Sequence, residues 1–229
     1  VQYAHRQLVV HRDLKPSNIL VTKDEARVRR VKLLDFGIAK VLGGEDMGEP
    51  LTMLTAPGQL MLTPEYAAPE QLMGDAISTA TDVYALGVIL YELRTGTRPY
   101  IFETRSPSAI ERVVATAQPT RPSTAIASSS GPTPDRLRRE LAGDLDVICL
   151  MALRKEPDRR YGSAAALGAD LRRVRERLPV LARPDTFRYR LQTFARRNRT
   201  GLAISAVAMG SKCDFSSASV DCSDSACAQ

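Results

Sequence analysis

Cysteine is scarce in this chain: four residues in 229, three of them within the last seventeen. Such usage does not build a disulfide scaffold. Cys213, Cys222 and Cys227 lie in a Ser/Asp/Ala-rich tail at spacings that match no zinc site. Cys149, inside the apolar run VICLMAL, reads as a core residue. Glycine has no period, which excludes a fibrous chain, and a 44% hydrophobic content excludes a disordered one. No signal peptide is visible, because His5, Arg6 and Gln7 interrupt the first ten residues. A spanning helix needs ~20 apolar residues. The run GLAISAVAMG at 201–210 has about half of that before Ser211, Lys212 and Asp214 break it.

The net charge of +6 is unevenly placed. Residues 183–199 hold six Arg against one Asp, while residues 200–229 hold Lys212 against Asp214, Asp221 and Asp224. Residues 1–182 are therefore close to neutral, at +3 by difference. With neither stacking aromatics nor a reading helix evident, nucleic acid is not an expected partner. A positive stretch at 183–200 ahead of an apolar one reads as a juxtamembrane flank before an incomplete span at 201–210. The remainder, 211–229, reads as a disordered Ser/Asp-rich tail, foreign in character to the span it follows.

Periodicity places the elements. Val1–Val10 reads as the last turns of a helix, and Ile19–Val21 with Val31–Leu34 as a β-hairpin. Residues 43–65 lack periodicity and read as a long loop. Val83, Leu86, Ile89 or Leu90, and Leu93 share a helical spacing, with Ser78 or Thr79 as cap and Gly96 as terminator. Further helices are expected at 106–117, 144–153 and 163–178. The last has Ser163 as cap, Leu167, Leu171, Val174 and Leu178 on one face, and Arg172, Arg173, Arg175 and Arg177 opposite. The Pro/Ser/Thr-rich stretch 118–135 reads as an exposed insert.

Three motifs follow one another: HRDLKPSN at 11–18, DFG at 35–37 and APE at 68–70. Each alone is weak. In this order, separated by a hairpin and then a long loop, the sequence resembles the eukaryotic-type (Hanks-type) serine/threonine protein kinases, bacterial members above all, from Val1 to about Leu178. The resemblance implies an α+β, mainly α fold. That fold is the helical C-terminal lobe (1–182, activation segment 35–70), with a short β-hairpin at the catalytic and metal-binding loops.

It implies ATP and Mg²⁺ as cofactors and protein Ser/Thr hydroxyls as substrate. Asp13 is then the catalytic base, Lys15 a cation for the γ-phosphate, and Asn18 and Asp35 the oxygen ligands of Mg²⁺. Lys15 in its KPSN setting resembles the serine/threonine rather than the tyrosine kinases. Arg12 is expected to receive a phosphate on the activation loop, at Thr52 or Thr55. Thr63, preceded by Leu62 where many relatives have Gly, matches the position whose hydroxyl contacts the catalytic Asp and Lys. Glu70 and Arg160 match a buried ion pair, and Asp82 matches the residue that braces the catalytic-loop backbone, with a plain helix cap as its alternative. His11 is expected to hold the loop by hydrogen bonding. His5 receives no role.

Other features of the family are not in this sequence: a G-x-G-x-x-G loop, a V-A-I-K-type lysine and a partner glutamate. The N-terminal lobe is accordingly expected to be missing, its docking face apolar and partly bare. The alternative function is a catalytically inactive lobe acting as a protein-binding scaffold. Homodimers for trans-autophosphorylation are a further expectation. So is a cytoplasmic kinase lobe whose relatives are anchored in the inner membrane by one span after residue 200.

Overall fold

The computed structural model describes residues 1–23, 29–36, 64–104, 106–127 and 142–183. Thr52, Thr55 and Thr63, the run 201–210 and the tail cysteines lie outside them. Seven helices and one hairpin are described. They are α1 (Gln2–Arg6), β1 (Ile19–Lys23), β2 (Arg29–Leu33), α2 (Pro69–Met73), α3 (Thr79–Thr95), α4 (Pro107–Thr116), α5 (Pro122–Ala127), α6 (Asp144–Ala152) and α7 (Ala164–Glu176). Single 3₁₀ turns precede β1 (Pro16–Asn18) and α7 (Pro157–Arg159). The strands pair antiparallel, Ile19 with Leu33 and Val21 with Val31.

Helix α3 is the axis. Ser78 opens it by accepting the Ala80 N–H, and Thr81 returns the favour by accepting from the Ser78 N–H. Gly96 closes it at φ 73°, a left-handed conformation that costs a side chain steric energy and glycine almost none. Val83, Tyr84, Val88 and Tyr91 are each at most 1% exposed, so burial runs round most of the helix. One set of its side chains joins a cluster with Leu14, Tyr66, Ile110, Val114 and Leu153. Val83 joins another with Ile148, Ala152, Tyr161 and Leu167. Gly87 packs against α6: a Cβ there would stand 2.8 Å from the Cβ of Ala152.

Four expectations change. Leu93, assigned to the buried stripe of α3, is 76% exposed. A helix buried on most sides does not follow an amphipathic stripe, and its last turn has emerged from the core. Helix α7 stops at Glu176, with Arg177 left-handed at φ 56°, so Leu178 lies beyond it. Within the stretch read as an exposed insert, residues 122–127 form α5, whose Ile126 is 3% exposed. Pro122 suits a first helical position, where its missing N–H costs nothing. The N-terminal helix ends at Arg6, leaving Leu8 92% exposed.

The exposed apolar side chains include Tyr3, Leu8, Leu20, Val21 and Val31, all on α1, the turn after it and the hairpin. Among the described residues no helix is long and apolar enough to cross a membrane.

Candidate active site

The segment from His11 to Lys15 is irregular backbone and needs outside partners for its N–H groups. Asp82, one turn into α3 and 1% exposed, supplies them. Its Oδ2 accepts the N–H of His11 at 2.8 Å and its Oδ1 that of Arg12 at 3.0 Å. Ser78 caps α3, so Asp82 is not the cap. A third donor arrives from α1: His5 Nε2 stands 2.7 Å from Oδ2. Arg12 has a φ of 66°, which for a side chain with a Cβ costs of order 1–2 kcal/mol. The Asp82 bond below it and the Gln71 amide above, donating to the Arg12 carbonyl at 2.8 Å, hold it there.

His11 is 1% exposed. Its Nε2 donates to the Leu34 carbonyl at 3.1 Å, which leaves Nδ1 as an acceptor facing the Asp13 N–H at 3.4 Å. Its ring also lies 4.6 Å from that of Phe36. One imidazole thereby ties the 11–18 loop to the 34–36 loop. The Leu34 N–H, bonded to the Asn18 carbonyl at 2.9 Å, adds a second tie.

These ties gather the polar side chains. Lys15 Nζ is 3.0 Å from Asp13 Oδ2. Asn18, 6% exposed, donates through Nδ2 to the Asp13 carbonyl at 2.9 Å and to Asp13 Oδ2 at 3.2 Å. With its nitrogen turned to Asp13, the Asn18 amide oxygen points elsewhere. Asp35 is exposed, next in sequence to Leu34, and left-handed at φ 50°. Lys15 and Asn18 thus both meet Asp13, with Asp35 one residue past the loop-to-loop bond. The donors are a carboxylate and an amide oxygen, a hard set of the kind divalent magnesium or calcium takes. The crevice beside Arg12, Asp13, Gln71 and Asp82 holds only about 10 Å³, room for one water at most.

The protein kinase domain family matches residues 1–170. The chain belongs to the protein kinase family. Serine/threonine-protein kinase PknB of Mycolicibacterium smegmatis is 37% identical over 176 residues, 77% of this chain and 24% of that protein. Serine/threonine-protein kinase pkn3 of Myxococcus xanthus is 36% identical over 203 residues, 88% of this chain and 32% of that protein. The chain spans roughly a quarter to a third of the length of these relatives. The Mycobacterium tuberculosis PknI kinase domain superposes with a TM-score of 0.47 at 24% identity, over 76% of this chain and 50% of that one. Kinase membership brings ATP and a divalent metal in general.

In this kinase chain Glu70 and Arg160 form a two-pronged pair, both N···O distances 2.7 Å and both residues 3% exposed. Thr81 donates to Glu70 at 2.9 Å, and Arg160 donates to the carbonyls of Arg154, Ala80 and Lys155. Burial pushes the Glu70 carboxyl up, but the Arg160 guanidinium outweighs it and the net is below the ordinary value.

Two features escaped sequence reasoning. His5 carries no local signal, because its partner Asp82 is 77 residues away. At the C-terminal side of Thr63, Tyr66 donates to Glu92 at 2.5 Å, while Arg98 sits 3.2 Å from Glu65 and 5.2 Å over the Tyr66 ring. Burial first, then Glu92, raises the Tyr66 phenol above its ordinary value. Glu65, Glu92 and Arg98 are too far apart in the chain to give a local signal, and only the fold joins them.

Proposed function

We propose that this chain carries the catalytic lobe of a serine/threonine protein kinase, moving the γ-phosphoryl group of ATP to Ser/Thr hydroxyls of proteins. The supporting observation is the Asp13–Lys15–Asn18 contact on a loop pinned by Asp82. In this reading Asp13 accepts or orients the proton of the attacking hydroxyl. Lys15, 3.0 Å from that carboxylate, neutralises phosphate charge beside it. The amide oxygen of Asn18 and the carboxylate of Asp35 would hold Mg²⁺, which when bound screens the phosphates. Asn18 also fixes the Asp13 side chain by donating to it.

Arg12 is the proposed receiver of an activation-loop phosphate. Its Nε is buried with no hydrogen-bond partner among the described residues, which supports that role. Thr52 and Thr55 remain the proposed phosphate carriers, and Thr63 the proposed hydroxyl partner of Asp13 and Lys15. Protein substrates, and homodimers for trans-autophosphorylation, follow from the same reading. The positive stretch 183–200 ahead of the apolar 201–210 supports a cytoplasmic lobe.

A second reading is a protein-binding lobe without turnover. Incubation with radiolabelled ATP separates the two. Incorporation that disappears in Asp13→Asn supports the enzyme, and no incorporation with Mg²⁺ present supports the binding lobe.

A further inference from the structure

The C-terminal end of the described lobe is strongly polarised. From Arg172 to Arg199 the sequence holds ten Arg against Glu176 and Asp185, a local +8 that exceeds the +6 of the whole chain. The other residues together are net negative. In the described part, α7 turns Leu167, Leu171 and Val174 toward the core. Arg172, Arg175, Glu176 and Arg177 lie exposed on its other side. The Arg175 side chain is 79% exposed and only 3.9 Å-close to Glu176, a weak surface pairing that leaves it available.

The turn after α7 presents an apolar side chain on a fixed backbone. Asp170, fully buried, accepts the N–H of Leu181 and of Ala182, each at 2.8 Å, and the Tyr161 hydroxyl at 3.0 Å. Arg173 donates to the Pro179 carbonyl at 3.0 Å. Val180 points inward at 3% exposed, yet Leu181 stands 68% exposed between Arg177 and Arg183 in the chain. A loose loop could turn a leucine inward. Here the two amides are tied to a buried carboxylate, so the side chain stays out.

We propose that this end of the lobe is a docking surface for an anionic lipid bilayer, with Arg172, Arg175 and Arg177 meeting headgroups and Leu181 inserting between them. Charge complementarity carries the choice of partner, since exposed guanidinium groups near an acidic bilayer surface each add to binding. An exposed leucine among them suits an interface that is apolar just below the charges, and a phosphate backbone offers it no such layer. The next residues continue the positive charge, with six arginines in 183–199 ahead of the apolar 201–210. This contact is peripheral and does not depend on a span or on phosphoryl transfer.

The test is co-sedimentation of the full chain with vesicles of phosphatidylcholine alone or with about a third phosphatidylserine. Binding is expected only to the acidic vesicles and is expected to weaken with salt. Arg172→Gln with Arg175→Gln should lower partitioning about thirtyfold, taking ~1 kcal/mol per arginine. Leu181→Ser should lower it severalfold with the salt dependence unchanged. Equal binding of both variants and the parent would overturn the proposal, the contact then belonging to the stretch after 183 alone. Equal binding to neutral vesicles, or tighter binding to mixed-sequence duplex DNA than to acidic vesicles, would also overturn it. All three substitutions fall on exposed side chains, and a thermal melt matching the parent's shows that the variants are folded.

Discussion

Substituting Glu70 by alanine tests the energetics of a buried ion pair. The structure gives the terms. Two hydrogen bonds of 2.7 Å are lost, Thr81 loses its acceptor, and Arg160 stays 3% exposed with three carbonyl partners but no counter-charge. Breaking a buried pair from one side costs about 3–5 kcal/mol. That is a large share of the roughly 5–15 kcal/mol that holds an ordinary domain folded. Urea unfolding followed by circular dichroism at neutral pH should show Glu70→Ala destabilised by that amount. Glu70→Ala combined with Arg160→Met should recover part of it, because no bare charge remains. The pH dependence has a definite sign. The folded-state pKa of Glu70 is depressed, so its contribution is complete above the unfolded value near ~4.3 and is lost as pH falls through the folded value. The gap between the parent and Glu70→Gln should therefore narrow on acidification. A Glu70→Ala cost under about 1 kcal/mol, or a gap that stays constant into acid, would refute the reasoning.

Gly87→Ala should cost about 1–3 kcal/mol through the 2.8 Å approach to Ala152, and adding Ala152→Gly should relieve it in the same unfolding assay. Asp82→Ala removes the acceptor of the His11 and Arg12 amides, bonds to a charged group worth about 1.5–3 kcal/mol each. Hydrogen exchange at those two amides should accelerate at least about tenfold. Cys149 is fully buried, and burial, then Asp146, pushes its thiol up to about 12. Peptide mapping after iodoacetamide at mildly alkaline pH should find it unmodified until denaturant is added.

Much of the site was legible because its residues are close in sequence. HRDLKPSN places Asp13, Lys15 and Asn18 within one short loop, and DFG lies one hairpin further on, so local spacing stood in for geometry. The caps Ser78 and Ser163 and the terminator Gly96 were legible because capping is itself a local interaction. What was not legible is non-local. His5 acquires its partner, and the segment after Thr63 its Arg98 brace, only through folding. Composition misled at 122–127, where a Pro/Ser/Thr-rich stretch folds as α5 because Ser123 finds Asp146, donating through its N–H at 2.9 Å and its hydroxyl at 2.7 Å. Periodicity misled at Leu93, since α3 runs through the core instead of along its edge.

Gln71 shows how wiring can dictate a residue's identity. Its amide oxygen takes the Ala68 N–H at 3.1 Å, while its amide nitrogen gives to the Arg12 carbonyl at 2.8 Å. The side chain is a two-ended connector with opposite polarity at its ends. A carboxylate of the same shape would face a carbonyl with a lone pair, and a lysine would face an N–H with another donor. The joint between the start of α2 and the loop bearing Asp13 therefore admits a reader of one donor and one acceptor at this length, which among the coded side chains means glutamine.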